Sequence, residues 1–390
     1  MRLLTSLLLI LFLSTAGFAE KSASYWYKQG KKSQDANLQI KYFSNAIKEN
    51  PNFVGAYHRR GDAYRSKNYI TKAIEDYSKT IELRPKDAFR YYARALSYLD
   101  LKKYNLALDD LNKAVKYKPD FLDFYYNRAI AQVELEKYKP ALKDLNRWGK
   151  KKPKIYQFYI LEGRAFLGLQ EPKKALESLN SATNMDENAS TAYFYIANTY
   201  KTQNMYDEAI SNFSKAINRD AKNTKAYVLR AECYKEIKMY NQAVKDLSFT
   251  ISQNPKMSTY YYKRGLVYTY TNHWQAAIKD FGSAISHNKN RYEYYNARGY
   301  SYLKLKQGEK AKKDLLASIK LSPNSTNPYI NLAGYYWTYK KDKTKLYNYL
   351  QTGLENGFEN KDFLYDETKY GWLFKDINTT SEFRVLVSNT

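Results

Sequence analysis

The sequence predicts an all-α fold, a solenoid of about ten stacked helical hairpins, and three regularities carry that prediction. Tyrosine recurs every 34 residues, at Tyr57, Tyr91, Tyr125, Tyr159, Tyr193, Tyr227, Tyr261, Tyr295 and Tyr329. Four residues after each stands a glycine or alanine: Gly61, Ala95, Ala129, Gly163, Ala197, Ala231, Gly265, Gly299 and Ala333. In the second half of each unit alanine keeps the same period, at Ala73, Ala107, Ala141, Ala175, Ala209, Ala243, Ala277 and Ala311.

Residues 88–121 show the physical basis. Tyr91, Ala95 and Tyr98 follow helical steps of four and three, a polar turn spans 102–105, and Ala107, Leu111 and Ala114 resume the period until Pro119. Two short helices cannot bury their apolar faces alone, so copies must stack on either side. Small residues allow close approach, and aromatics fill the space opposite. Those aromatics are Tyr64, Tyr98, Phe166, Tyr200, Tyr234, Tyr268, Tyr302 and Tyr336, with Gln132 the exception. The pattern resembles the tetratricopeptide repeat (TPR) family, in the form of an exported bacterial array, over nearly all of the chain. The resemblance implies a right-handed superhelix with a concave groove lined by first helices.

In chain order, residues 1–19 combine one arginine, a leucine-rich run and small residues at Gly17 and Ala19. That is the composition of a secretory signal peptide, and the run is too short for a membrane anchor. The expectation is an exported protein, periplasmic or secreted, with membrane association a further option and no transmembrane segment in the mature chain. Residues 20–53 form a degenerate first repeat, recognisable from Gln39, Phe43, Ala46 and Pro51. Eight consecutive repeats occupy 54–325, and Pro85, Pro119 and Pro153 close the first three. Pro140 falls in the first turn of a second helix, where its missing N–H is harmless. The two central repeats, 154–221, carry Glu187 and Ala221 in place of a closing proline. An atypical last repeat, 326–357, slips by one residue around Lys345 to Gly353. Residues 358–390, with Phe363, Trp372, Leu373, Phe374, Phe383 and Val385, read as a cap over the end of the stack.

A second regularity couples the two helices. Arg60, Arg94, Arg128, Arg230, Arg264 and Arg298 stand three residues after a ladder tyrosine. Sixteen residues on come Asp76, Asp110, Asp144, Asp246, Asp280 and Asp314. The two central repeats lose both members, holding Glu162 with Ser178 and Ile196 with Asn212. Joint presence and joint absence predict an ion pair that fixes helix register. Trp148 replaces a small residue, Ala114 or Ala182 elsewhere, and is expected to distort the packing or swing outward. The lone cysteine, Cys233, excludes an intrachain disulfide and reads either as a small core residue or as a reactive thiol.

Catalytic chemistry finds no motif. His58, His273 and His287 lie in different repeats, and no phosphate-binding glycine loop, dinucleotide fingerprint or serine elbow is present. No enzyme activity, cofactor or metal is therefore expected. By resemblance, positions one and five residues after the ladder face the groove. Tyr92, Leu96, Tyr126, Ile130 and the nearby Val133 make an apolar strip there, and Phe194 and Tyr262 continue it. Such a strip suits a partner's peptide or amphipathic helix; equally, these residues could pack on neighbouring repeats. The clamp by which TPR adaptors hold a C-terminal carboxylate is not matched, because Tyr92 and Leu96 stand where it needs cations. The formal charge is +25, with lysines concentrated in second helices and turns. Arg147, Lys150, Lys151, Lys152 and Lys154 form the best anion-contact candidate. The chain thus reads as a protein-interaction scaffold of the cell envelope. The alternative is a binder of anionic envelope polymers or lipid headgroups through a basic convex surface, and compositional bias would also produce the charge. A nucleic-acid partner is not expected of an exported protein.

Overall fold

The computed structural model describes residues 22–390, which contain 21 α-helices and no strand. The signal-peptide reading of residues 1–19 lies outside them. The chain divides into two units, the first ending at Glu187 and the second running Asn188–Thr390.

The first unit holds five hairpins: α1 (Ala23–Lys32) with α2 (Ala36–Glu49), α3 (Val54–Ser66) with α4 (Ile70–Leu83), and α5 (Ala88–Asp100) with α6 (Tyr104–Tyr117), followed by α7 (Asp123–Glu134) with α8 (Tyr138–Gly149), and α9 (Tyr156–Gly168) with α10 (Pro172–Met185). The second unit holds five more. They are α11 (Ser190–Thr202) with α12 (Tyr206–Arg219), α13 (Thr224–Glu236) with α14 (Tyr240–Gln253), and α15 (Ser258–Tyr270) with α16 (Trp274–His287). Then come α17 (Tyr292–Lys304) with α18 (Gly308–Leu321), α19 (Asn327–Tyr335) with α20 (Lys343–Glu355), and a final α21 (Ser381–Asn389).

In the regular repeats the small residue of the first helix meets a large one sixteen residues on, in the second helix. A Cβ at Gly61 would come within 2.7 Å of the Tyr77 ring, at Gly163 within 2.6 Å of Leu179, and at Gly265 within 2.6 Å of Phe281. The aromatic seven residues after the ladder does not fill this gap as predicted; it lies beside the arginine of the ion pair, as Tyr98 does 5.8 Å from the Arg94 guanidinium carbon. In the first hairpin the small position is Gly30, where a Cβ would meet Phe43 at 2.5 Å. That helix has only 10 residues, which shifts the close approach towards the turn.

At four of the closing prolines the ladder tyrosine ties the turn down. Tyr91, Tyr125, Tyr261 and Tyr329 donate their hydroxyls to the carbonyls of Pro85, Pro119, Pro255 and Pro323 at 2.9–3.1 Å. All six Arg–Asp pairs are formed, each through two parallel bonds, as from Arg94 Nε and Nη2 to Asp110 at 2.7 and 2.8 Å. The pairs also reach outward: Arg94 Nη1 donates to Ser78 Oγ of the preceding hairpin, as do Arg60 to Ser44, Arg230 to Ser214 and Arg264 to Ser248. In one central repeat Ser178 donates to Glu162 at 2.8 Å across the same gap, and in the other Ile196 is buried.

Three expectations are corrected. Trp148 neither swings outward nor breaks the stack; it is 7% exposed, lies 5.6 Å from the Phe158 ring and donates Nε1–H to Asp123. Room is made because α8 has 12 residues where α6 has 14. The one-residue slip of the last repeat originates upstream of Lys345, in a π-turn at Tyr336–Lys340 that absorbs the extra residue. In the C-terminal segment Leu364, Leu373, Phe374, Ile377, Phe383 and Val387 join the core of α19 and α20. Phe363 and Val385, expected among them, are 37% and 56% exposed. Cys233 is fully buried, and burial pushes its thiol up to about 11, so it packs as a small core residue.

Candidate partner-binding faces

Steps of four and three return a helix to one side, so residues one and five places after the ladder share a face of each first helix. In the first unit Tyr92 and Leu96 of α5 and Tyr126 and Ile130 of α7 are half-buried there. Asn127 donates to the Tyr92 hydroxyl at 3.0 Å, and the Tyr92 ring lies 4.9 Å from that of Phe124. The Tyr126 ring lies 4.9 Å from Trp148. Burial raises both phenols above their ordinary pKa. Val133, predicted with them, is 4% exposed and belongs to the core with Ala141 and Leu145. Four residues after buried Ala129, it lies only about 40° round the helix from it.

Ion pairs border this apolar strip on both sides. Arg65 Nε bonds Asp100 Oδ2 at 2.6 Å, joining α3 to α5, and Arg164 Nη2 bonds Glu134 Oε1 at 2.7 Å, joining α9 to α7. An apolar centre with a charged rim is the arrangement of a protein-binding surface.

The second unit presents a different face. Phe194 rests on Phe213 at 5.9 Å, and Tyr262 lies between Phe281 and Tyr294 at 5.8 and 4.9 Å, with burial pushing its phenol up to about 12. Between them Glu232 of α13 accepts from Lys201 of α11 and from Lys263 of α15. Burial opposes the charge of Glu232, but the two ammonium bonds outweigh it and hold the carboxyl below the usual range. A cavity of about 300 Å³ adjoins this triad. Phe194 and Tyr262 are therefore separated by charge and make no continuous apolar strip. Further on, the C-terminal segment covers the face: Tyr300 donates to the Lys369 carbonyl at 3.3 Å, and Leu373 sits where a Cβ on Gly334 would meet it at 2.7 Å.

The basic residues divide three ways. Arg147, Lys150 and Lys151 line one cavity of about 690 Å³ together with Lys143 and Gln132. Arg147 is already engaged, donating to the Pro119 carbonyl and lying 4.3 Å over the Tyr125 ring. Lys152 turns to Asp123 at 3.3 Å, and the Lys154 ammonium lies 5.2 Å from the Phe158 ring. The sequence marked Gln132 as an irregularity without linking it to the basic run. Among the described residues, no group of three or more His, Cys, Asp or Glu is placed to hold a metal, and no helix is long and apolar enough to cross a membrane.

Family models described as TPR repeat and tetratricopeptide repeat match residues 61–102 and 92–154, and a further tetratricopeptide repeat model matches 190–223 and 292–325. A solved tetratricopeptide repeat protein from Parabacteroides merdae is 18% identical, with a TM-score of 0.51, over 64% of this chain and 98% of its own. The C-terminal part of a TPR repeat-containing protein from Cytophaga hutchinsonii is also 18% identical, with a TM-score of 0.51, over 62% of this chain and 99% of its own. No curated protein matches the sequence. At these identities the structural likeness speaks for the fold.

Proposed function

Since the chain belongs to the tetratricopeptide repeat family, whose fold is typical of protein–protein interaction, we propose that it is a non-catalytic scaffold that holds a partner's peptide or helix on the first-helix face of its first unit. The observation that carries this reading is the strip of Tyr92, Leu96, Tyr126 and Ile130, half-buried between the Arg65–Asp100 and Arg164–Glu134 pairs. Aromatics with an aliphatic neighbour anchor a peptide by burial, and the charged rim sets its direction. The composition of residues 1–19, that of a secretory signal peptide, supports a scaffold that works in the cell envelope or outside the cell.

The test is capture of a partner from envelope extract by the protein, at about 50 and 500 mM salt, beside a Leu96→Gln/Ile130→Gln variant. A discrete protein retained at both salts by the wild type and lost by the folded variant is the expected result, because apolar contact is little screened. Retention by the variant removes this face from consideration. Capture of anionic polymer or lipid alone, released by salt, would instead favour contact through the second-helix lysines.

A further inference from the structure

Eight of the nine ladder repeats place an aromatic ring seven residues after the tyrosine; the repeat of Tyr125 places Gln132. A cavity of about 690 Å³ lies beside it between α6, α7 and α8, a volume within the range of small-ligand sites and larger than the cavity of about 380 Å³ that Phe166 lines at the corresponding place one repeat on. Gln132 lines it, is 6% exposed, and its Oε1 has no hydrogen-bond partner. A buried amide oxygen left without a donor is uncommon and calls for a partner. Asn146 also lines the cavity, and its side chain is unbonded among the described residues. The same holds for the ammonium groups of Lys143, Lys150 and Lys151, which have no carboxylate within ion-pair distance. Val115, Leu122 and Pro140 supply apolar wall.

We propose that this cavity binds a small polyhydroxylated anion, a sugar or polyol carrying a phosphate group. Three unpaired ammonium groups suit a phosphate, which bears close to two charges at neutral pH and takes lysine as a point-charge partner. The amides of Gln132 and Asn146 and the exposed carboxylate of Asp120 on the lining suit hydroxyl groups, which both donate and accept. The aliphatic wall suits the carbon face of such a ligand. The site stands apart from the proposed groove and does not depend on it. Soluble sugar phosphates and the glycerophosphate headgroups of lipids share this chemistry.

Binding is measured by calorimetry with glucose 6-phosphate, glucose and inorganic phosphate at about 150 mM salt, and by sedimentation with phosphatidylglycerol vesicles. The variants are Gln132→Tyr, which restores the ring that the other repeats carry, and Lys150→Ala/Lys151→Ala on the exposed rim. The proposal expects saturable binding of glucose 6-phosphate, or of the vesicles if a headgroup is the occupant, weakened at least tenfold in both variants. Either ligand alone supports it and names the source. Absence of binding by both, equal affinity for inorganic phosphate, or unchanged affinity in Gln132→Tyr overturns it. Thermal unfolding of each variant confirms that loss of binding is not loss of fold.

Discussion

Arg264 shows how much one side chain holds. It forks onto Asp280, which is 4% exposed, and reaches back to Ser248 of the preceding hairpin, so it fixes two interfaces at once. Arg264→Ala leaves a buried carboxylate without its cation and should cost about 3–5 kcal/mol in urea unfolding. The chain itself offers the control, because Ile196 and Asn212 occupy these positions in one repeat. Arg264→Ile/Asp280→Asn should therefore be markedly less damaging than Arg264→Ala; an equal loss would mean that the cost lies in packing rather than in the stranded charge. Gly265 makes a similar argument from volume. Gly265→Ala gains helix propensity but drives a methyl to 2.6 Å from Phe281, so a net loss of about 1–2 kcal/mol is expected. Combining it with Phe281→Leu should recover stability, since the chain pairs Ala231 with Leu247 at the same spacing. Failure of that rescue in the same unfolding assay would refute the pairing.

At the scale of helices and turns, the periodic feature that composition hides is a left-handed residue in every regular hairpin. Asn68, Lys102, Glu136 and Gln170 in the first unit, and Asn204, Lys238, Asn272 and Lys306 in the second, have φ of 57–63°. The next N–H then reaches back to close the first helix, as Lys103 does to the Tyr98 carbonyl at 2.8 Å. None of the eight is glycine, so each carries Cβ strain that glycine would relieve. Lys102→Gly should gain some tenths to about 1 kcal/mol, read as a higher urea midpoint, after the extra entropy glycine loses on folding. Glu232 ties α11, α13 and α15 through its two lysines. Its carboxyl is depressed in the folded state, so its contribution is present above the unfolded value of about 4.3 and is lost as pH falls through the lower folded value. Thermal unfolding of Glu232→Gln should accordingly show less acid destabilisation than wild type between about pH 5 and 3.

For the whole chain, contacts between neighbouring hairpins within each unit make stability nearly one-dimensional, so an open end is costly only nearby. Residues 361–390 close one such end, with Leu373, Phe374 and Phe383 fully buried beside Ile330, Leu332 and Leu346. Deleting 358–390 should speed amide exchange in α19 and α20 and expose apolar surface to a dye, while α3 to α8 keep their protection. Protection lost evenly along the chain would show a cooperativity that nearest-neighbour stacking does not provide. The two units also differ in what they offer a partner: an ion-pair-bordered apolar strip in the first, and a lysine–glutamate–lysine triad with a covered end in the second.

The sequence by itself determined the hairpins, their period, the positions of the small residues and the six Arg–Asp pairs. Each of these follows from chemistry repeated at a fixed spacing, and a 34-residue repeat displays its own rule nine times. It could not show that the ring partner of Gly61 is Tyr77 rather than Tyr64, because both distances suit an aromatic and only packing selects between them. It misplaced Trp148 and Val133 for the same reason: burial depends on where a neighbouring helix ends and on some 40° of rotation. The engagement of Arg147, Lys152 and Lys154 with a carbonyl, a carboxylate and a ring was likewise decided by folding. At Gln132, the one ladder repeat without its ring, three helices meet around a cavity that no single segment of the sequence displays.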